Sequence, residues 1–456
     1  MKRLLVLDVV GLTPALLGDD TPCLGALAGE GFQAELGAVF PAVTCVAQSS
    51  LLTGRLPREH GIVGNGWYFR ELAEIRFWCQ SNHLVAGPKV WERARQRQPD
   101  VRCAKLFWWF NMYSSADISV TPRPLYPADG RKLPDVYCRP PELRRELTRQ
   151  LGPFPLFRFW GPRADITSSR WIGRCAEHVL EKERPHLTFV YLPHLDYDLQ
   201  RHGPDFPGLG QALREVDEVA GRLIRRARGM GMEVIVLSEY GITAARGSVS
   251  INRVLRAEKL LVVQETLGWE LLDAGASRAF AVSDHQVAHV YVRRGSDVPA
   301  VRRLLEGVDG IDQVLDREGQ RELGVDHPRS GELVAVAASD RWFDYYYWLD
   351  DDRAADFART VDIHRKPGYD PVELFLDPHR RLIPLRIAWK LLAKSLGFRT
   401  LLDVIPLDTS LVKGTHGRLP STPSEGPVLL SSSSRQKTSR LEMTDVSELL
   451  LETMFG

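Results

Sequence analysis

The sequence predicts a doubly wound α/β fold with a mostly parallel core sheet and a smaller α/β subdomain inserted into it. Two observations carry this. Three short β-rich runs, LLVLDVV at 4–10, LTFVYL at 187–192 and EVIVL at 233–237, are continuously apolar rather than alternating. Such runs suit strands buried on both faces of a parallel sheet. Between the last two lies an amphipathic helix: Leu209, Leu213, Val216, Ala220, Leu223 and Ala227 recur at steps of three and four. Its opposite face carries Arg214, Asp217, Arg225 and Arg228, and Gly229 and Gly231 close it, as expected at a helix C-terminus. Strand, helix and strand with a glycine exit make a βαβ unit.

The remaining elements follow in order. Residues 66–165 are rich in Trp, Tyr and Pro with weak periodicity and read as loops and insertions over one edge of the core. Residues 255–340 mix helix and strand patterns (AHVYVR, VRRLLEGV, ELVAVA) and read as the inserted, cap-like subdomain. The catalytic core is therefore expected to comprise 1–254 and 341–430, with PVLL at 427–430 as its final strand. The tail, 431–456, opens on SSSSRQKTS, a linker composition, and ends on SELLLETMF, a short docking helix. The aromatic stretch WFDYYYW at 342–348 suits either a substrate cleft or core packing, and the DDD at 350–352 a solvated loop.

The chain has 456 residues, 44% hydrophobic and 26% charged, with a formal net charge of +1. This is the profile of a soluble globular protein, without the basic excess of a nucleic-acid binder. The six cysteines are scattered with no CxxC pair, which argues against a disulfide framework or a zinc knuckle. No apolar run approaches the ~20 residues of a membrane span. The opening MKRLLVLDVVGL reaches Asp8 too early for a signal peptide, so a cytoplasmic location is expected.

Asp8 ends the first buried strand, where open α/β sheets place ligands, although a loop or capping aspartate is an equal reading. Thr44, in FPAVTCVAQSSLLTG, precedes a small, apolar stretch compatible with a helix. A helix N-terminus and a metal would together activate its hydroxyl; a threonine there also serves as a plain N-cap. Asn65 follows a Gly-rich turn, with an amide able to donate to a phosphate oxygen. His285 and His289 in SDHQVAHVYV have i,i+4 spacing without an HExxH pattern, and read as structural; His60 reads as structural too.

From Phe40 to Asn65 the chain resembles the type I phosphodiesterase/nucleotide pyrophosphatase branch of the alkaline phosphatase superfamily, which reads FPTxTxPNxxSLxTGxxPxxHGIxGN there. The FP, the threonine, the SLLTG, the proline, the HGI and the GN all match in order. The resemblance implies an alkaline-phosphatase-like fold and Thr44 as nucleophile of a metal-dependent hydrolase that forms a phospho-enzyme. It implies Asn65 as a phosphate-oxygen ligand, and a first-strand metal ligand at Asp8, although the usual DG pair is DV. The family's DxxxHxxGP corresponds to DYDLQRHGP, so Asp196 is kept, Gln200 stands at the histidine position, and His202 is the nearby substitute. Its SDHG appears as Ser238-Glu239-Tyr240-Gly241, and its C-terminal HG as His416-Gly417, with His364 a second candidate. The expected metal ligands are therefore Asp8, Thr44, Asp196, Glu239 and His416, with Gln200, His202, Tyr240 and His364 as further candidates. Two divalent ions are implied, zinc by resemblance, with Mn or Mg favoured by the loss of histidines. The expected partner is a small phosphorylated substrate. A phosphotransferase or phosphonate hydrolase on the same site is one competing reading, and a non-catalytic binding member is the other.

Overall fold

The computed structural model describes residues 1–456 except 129–130, 399 and 434–437. Its centre is a nine-stranded sheet in the order Arg440–Glu442, Phe32–Gly37, Val428–Ser431, Met232–Leu237, Arg3–Val9, Leu187–Leu192, Cys103–Leu106, Ile118–Pro122, Val136–Arg139. The first strand runs parallel to both Leu187–Leu192 and Met232–Leu237 and sits between them. Both runs flanking the helix are thus core strands, but they join through the first strand rather than through each other. Leu4 to Val9 are all fully buried, so both faces of the sheet are covered. One layer contains the mutually packed helices Ile166–Glu183 and Leu209–Gly229; the other contains Thr44–Thr53, Val90–Arg97 and Val446–Phe455.

Register turns this topology into chemistry. Asp8 pairs with Tyr191 and Leu237 across the two neighbouring strands. Asp196 lies four residues past the end of one neighbour and Glu239 two residues past the end of the other. Three carboxylates therefore meet at the C-terminal edge of three adjacent parallel strands, the usual ligand-binding edge of such sheets.

Residues 66–165 are more than loops. They supply three strands of the central sheet, Cys103–Leu106, Ile118–Pro122 and Val136–Arg139. These strands are only four or five residues long, too short for a periodic signal. Residues 255–340 form a four-stranded antiparallel sheet in the order Ala279–Asp284, Val287–Val292, Leu333–Ala337, Ile311–Leu315. It has its own core, into which Tyr345, Tyr346, Tyr347 and Trp348 are buried. In the tail, Arg440–Glu442 joins the sheet edge and Val446–Phe455 packs as a helix; part of the linker expected there, 434–437, lies outside the described residues.

On the long helix, Asp217 departs from the amphipathic pattern. It is buried and accepts from the Cys23 and Leu24 amides at 3.0 and 2.9 Å. It thereby caps the helix Pro22–Glu30 with a negative charge at the positive end.

His60 and His289 are structural. His60 contacts Ser50 Oγ through Nε2 at 3.0 Å, and its Nδ1 accepts from the Ile62 amide. His289 Nε2 donates to the Val63 carbonyl at 2.8 Å while Nδ1 accepts from the Gly331 amide. Burial holds His289 down at about 4, from the usual 6.5. Below pH 6.5 the unfolded chain therefore binds a proton at this residue that the folded chain does not, so its contribution falls with falling pH until about 4. Relative to His289→Gln, wild-type stability is expected to decline by about 1 kcal/mol per pH unit in the middle of that window. Denaturant melts of both proteins from pH 7 to 4 check this, and parallel curves would remove the assignment.

Candidate active site

Thr44 opens the helix Thr44–Thr53, all of whose residues are buried. Its hydroxyl sits 3.0 Å from the Tyr240 hydroxyl, at the floor of a cavity of about 1590 Å³. Tyr191, Asp196, Tyr240 and His285 share that floor. The position gives Thr44 the positive end of the helix dipole. Asn65 fixes this turn: its Oδ1 accepts from the Cys45 amide at 2.9 Å, and its Nδ2 and backbone amide donate to Asp284 at 3.1 and 2.7 Å. Asn65 thus anchors the start of the helix, and its side chain does not line the cavity.

Behind Thr44, Asp8 and Glu239 lie within reach of each other, and both are fully buried. Burial and mutual repulsion push Asp8 well above the usual carboxylate range. Burial raises Glu239 to about 7, moderated by its neighbours Asp8, Thr44 and Gln48. Gln48 is the pivot. Its Oε1 accepts from the Trp109 amide at 2.7 Å, which fixes the amide so that Nε2 donates to Glu239 Oε1 at 2.7 Å and to Asp8 Oδ2 at 3.3 Å. Each carboxylate keeps one buried oxygen, Asp8 Oδ1 and Glu239 Oε2, without a hydrogen-bond partner.

The Asp196 side of the site is built differently. Asp196 Oδ2 accepts from Gln200 Nε2 at 2.8 Å and Oδ1 from the Tyr240 hydroxyl at 3.3 Å. Gln200 Oε1 in turn accepts from Tyr369 at 2.9 Å, so both ends of that amide are engaged. Burial lifts Asp196 to about 7. His416 reaches the cluster because Gly414–Thr415 pairs with Thr243–Ala244. That approach requires Gly414, whose Cβ would lie 2.1 Å from the Leu199 carbonyl. The His416 ring stacks on Tyr240 at 3.6 Å, and its Nδ1 donates to the Ala42 carbonyl at 2.8 Å. This leaves Nε2 as a lone pair, 4.0 Å from Asp196 Oδ1.

These donors divide the implied pair of metal ions. Asp8 Oδ1, Glu239 Oε2 and the Thr44 hydroxyl form a hard-oxygen set, oriented from behind by Gln48, and fit one divalent cation of the Mg or Mn type. The second position does not fit. Asp196 and His416 remain as donors, but Gln200 turns its N–H towards Asp196 and gives its oxygen to Tyr369, which removes the third protein ligand such sites use. Among the described residues no group of three His, Cys, Asp or Glu forms a metal cluster; the set that fits has two carboxylates and a hydroxyl.

The two alternative histidines stay out of the cluster. His202 packs its ring on Phe206, and His364 Nδ1 bonds the Phe77 carbonyl at 3.3 Å on the cavity wall. Conversely, sequence reasoning passed over Gln48, Asp284 and Tyr369, and it read His285 as structural. His285 Nδ1 donates to Asp284 Oδ1 at 2.9 Å, and the ring stacks on Tyr369 and packs at a tilt against His416, with centroids 3.7 Å apart in each pair. The SDH spelling of Ser283–His285 was the available signal, since it places a carboxylate at a strand end beside a histidine.

The family description "Type I phosphodiesterase / nucleotide pyrophosphatase" matches residues 4–370. The chain belongs to that family. Among curated members, it is 26% identical over 212 residues to an uncharacterized pyrophosphatase/phosphodiesterase of Schizosaccharomyces pombe, a match covering 44% of this chain and 36% of that protein. It is 24% identical over 213 residues to rat ectonucleotide pyrophosphatase/phosphodiesterase family member 1, covering 45% of this chain and 19% of that protein. The match thus spans about a third or less of these relatives. Among solved structures, murine ectonucleotide pyrophosphatase/phosphodiesterase 5, as an inactive variant with AMP, superposes with a TM-score of 0.61 at 15% identity over 100% of this chain and 95% of that one. Phosphonoacetate hydrolase of Sinorhizobium meliloti, with phosphonoformate, gives 0.63 at 14% identity over 99% and 96%. The shared fold of this pyrophosphatase/phosphodiesterase family member is therefore alkaline-phosphatase-like.

Proposed function

We propose that the protein hydrolyses a phosphoric ester or anhydride through a covalent intermediate on Thr44. The observation that carries this reading is the Thr44 hydroxyl at a helix N-terminus, lining a large cavity and hydrogen-bonded through Tyr240 to Asp196. Asp8, Glu239 and Thr44 would hold one divalent ion, which would supply Lewis acidity for the attack.

The chain's own residues supply the rest. Tyr240 bridges the Thr44 hydroxyl to Asp196, at 3.0 and 3.3 Å. It offers a path for the Thr44 proton as the Thr44 Oγ1–P bond forms and the bond from phosphorus to the leaving oxygen breaks. The proton that moves onto Asp196 is returned to the leaving oxygen. Water then attacks phosphorus and gives a proton to Asp196, the Thr44 Oγ1–P bond breaks, and that proton returns through Tyr240 to Oγ1, which restores the hydroxyl. Asn65 and Asp284 keep the helix start, and so the attacking oxygen, in place. The cavity walls include Trp78, Trp109, Trp160 and Phe357, which suits a bulky or aromatic group on the ester.

The test is turnover of aryl phosphate mono- and diesters with Mg²⁺ or Mn²⁺, with chelator, and with an alcohol acceptor present. Hydrolysis that chelation abolishes is expected. Tyr240→Phe is expected to lower kcat by about 10²-fold or more, as for loss of a proton-transfer partner. Transfer to the alcohol in place of hydrolysis would identify a phosphotransferase. The saturation of Asp196 by Gln200 and Tyr240 also favours a second, binding-only reading, which tight binding of a phosphorylated ligand with no turnover under any metal would establish.

A further inference from the structure

The helix Ile383–Ser395 stands at the mouth of the cavity. Ile387, Leu391 and Lys394 line the opening. Its outward stripe is apolar: Leu385, Trp389 and Leu396 are 64%, 69% and 68% exposed, and Leu392 lies between them. At positions 385, 389, 392 and 396 these four side chains share one face of the helix. Nothing in the described chain covers them.

Charge selects the occupant. From His379 to Leu402 the sequence holds Arg380, Arg381, Arg386, Lys390, Lys394 and Arg399 and no Asp or Glu. The flanking Asp377 and Asp403 pair with Arg380, Arg386 and Lys390, and the segment 377–403 holds six basic residues against two acidic ones in a chain whose overall charge is only +1. A second copy docked on this face would bring like charges together. An anionic, apolar-cored surface satisfies both features, since an interfacial helix buries an apolar stripe beneath the headgroups with basic residues beside it.

We propose that the Ile383–Ser395 helix docks the protein on an anionic phospholipid surface, with the cavity mouth facing the lipid. This rests on the surface alone and not on the proposed hydrolysis, and its test needs no turnover. The full chain is sedimented with phosphatidylcholine vesicles and with vesicles containing about 30% phosphatidylglycerol. Binding to the anionic vesicles, released by salt and absent from phosphatidylcholine alone, is expected. The double variant Leu385→Glu, Trp389→Glu changes two exposed side chains and is expected to melt like wild type while its partition coefficient falls about tenfold or more. Arg381→Gln with Arg386→Gln should lower binding to anionic vesicles in the same way. Three results would each overturn the proposal: no association with anionic vesicles at low salt, equal association of the Leu385/Trp389 variant, or a dimer in light scattering that this variant abolishes while vesicles are ignored.

Discussion

Thr44→Ala is expected to reduce kcat for phosphoester hydrolysis by about 10³-fold or more, equivalent to roughly 4 kcal/mol of transition-state stabilisation. The substitution removes the oxygen that would form the covalent bond to phosphorus, and no nearby hydroxyl replaces it. Tyr240 is the nearest, but burial beside Asp196 and Glu239 pushes its phenol well above the usual range, which makes it a poor nucleophile at neutral pH. Folding should survive. Thr44 is the first residue of its helix, the neighbouring Cys45 amide stays bonded to Asn65, and alanine is the best helix former. Intact-mass measurement during turnover should show a phosphoryl adduct on wild type and none on Thr44→Ala, and binding of a phosphorylated ligand should persist in the variant. Full activity in Thr44→Ala would end the covalent mechanism.

The fold was legible wherever buried strands were long enough to be continuous. LLVLDVV, LTFVYL and EVIVL each became a core strand, because strands covered on both faces are made predominantly of apolar residues. Cys103–Leu106 and Val136–Arg139 escaped, since four residues carry no period and their segment is dominated by aromatic loops. The site was legible by position: Asp8, Thr44, Asp196, Glu239 and His416 do converge. Its hydrogen bonding was not. Nothing in CVAQSS marks Gln48 as a donor between two carboxylates, because its role depends on the Trp109 amide, 61 residues away in sequence. His285 was read as structural from its i,i+4 partner, yet a tight turn with φ of +58° carries it onto His416 while His289 stays in the core. Spacing along a strand places residues on faces; it does not say which turn carries a residue across to another element's site.

The departures at Gln200 and Tyr240 lead to a second large effect, on metal stoichiometry. Wild type is expected to retain one equivalent of Mg²⁺ or Mn²⁺ per chain rather than two. Burying Asp8 beside Glu239 is costly unless a proton or a cation sits between them. Their unpartnered oxygens, with the Thr44 hydroxyl, offer the hard ligands such a cation takes. Asp8→Asn removes one of two charged ligands while keeping the side-chain shape. Bound metal should fall below one-tenth of an equivalent, and turnover by about 10³-fold, as when the group that activates the nucleophile is lost. Gln200→Ala removes a donor to Asp196 but no ligand of that set, so metal content should stay at one equivalent. The two variants therefore separate the carboxylate pair from the Asp196–His416 side by elemental analysis, without reference to rate. Two equivalents in wild type, one of them lost in Gln200→Ala, would show that the amide turns its oxygen to a metal and that Tyr369 gives up its hydrogen bond. One equivalent that survives in Gln200→Ala and disappears in Asp8→Asn leaves Tyr240 and Gln200 as hydrogen-bond donors where other members carry histidines, and Asp196 as a proton acceptor rather than a ligand.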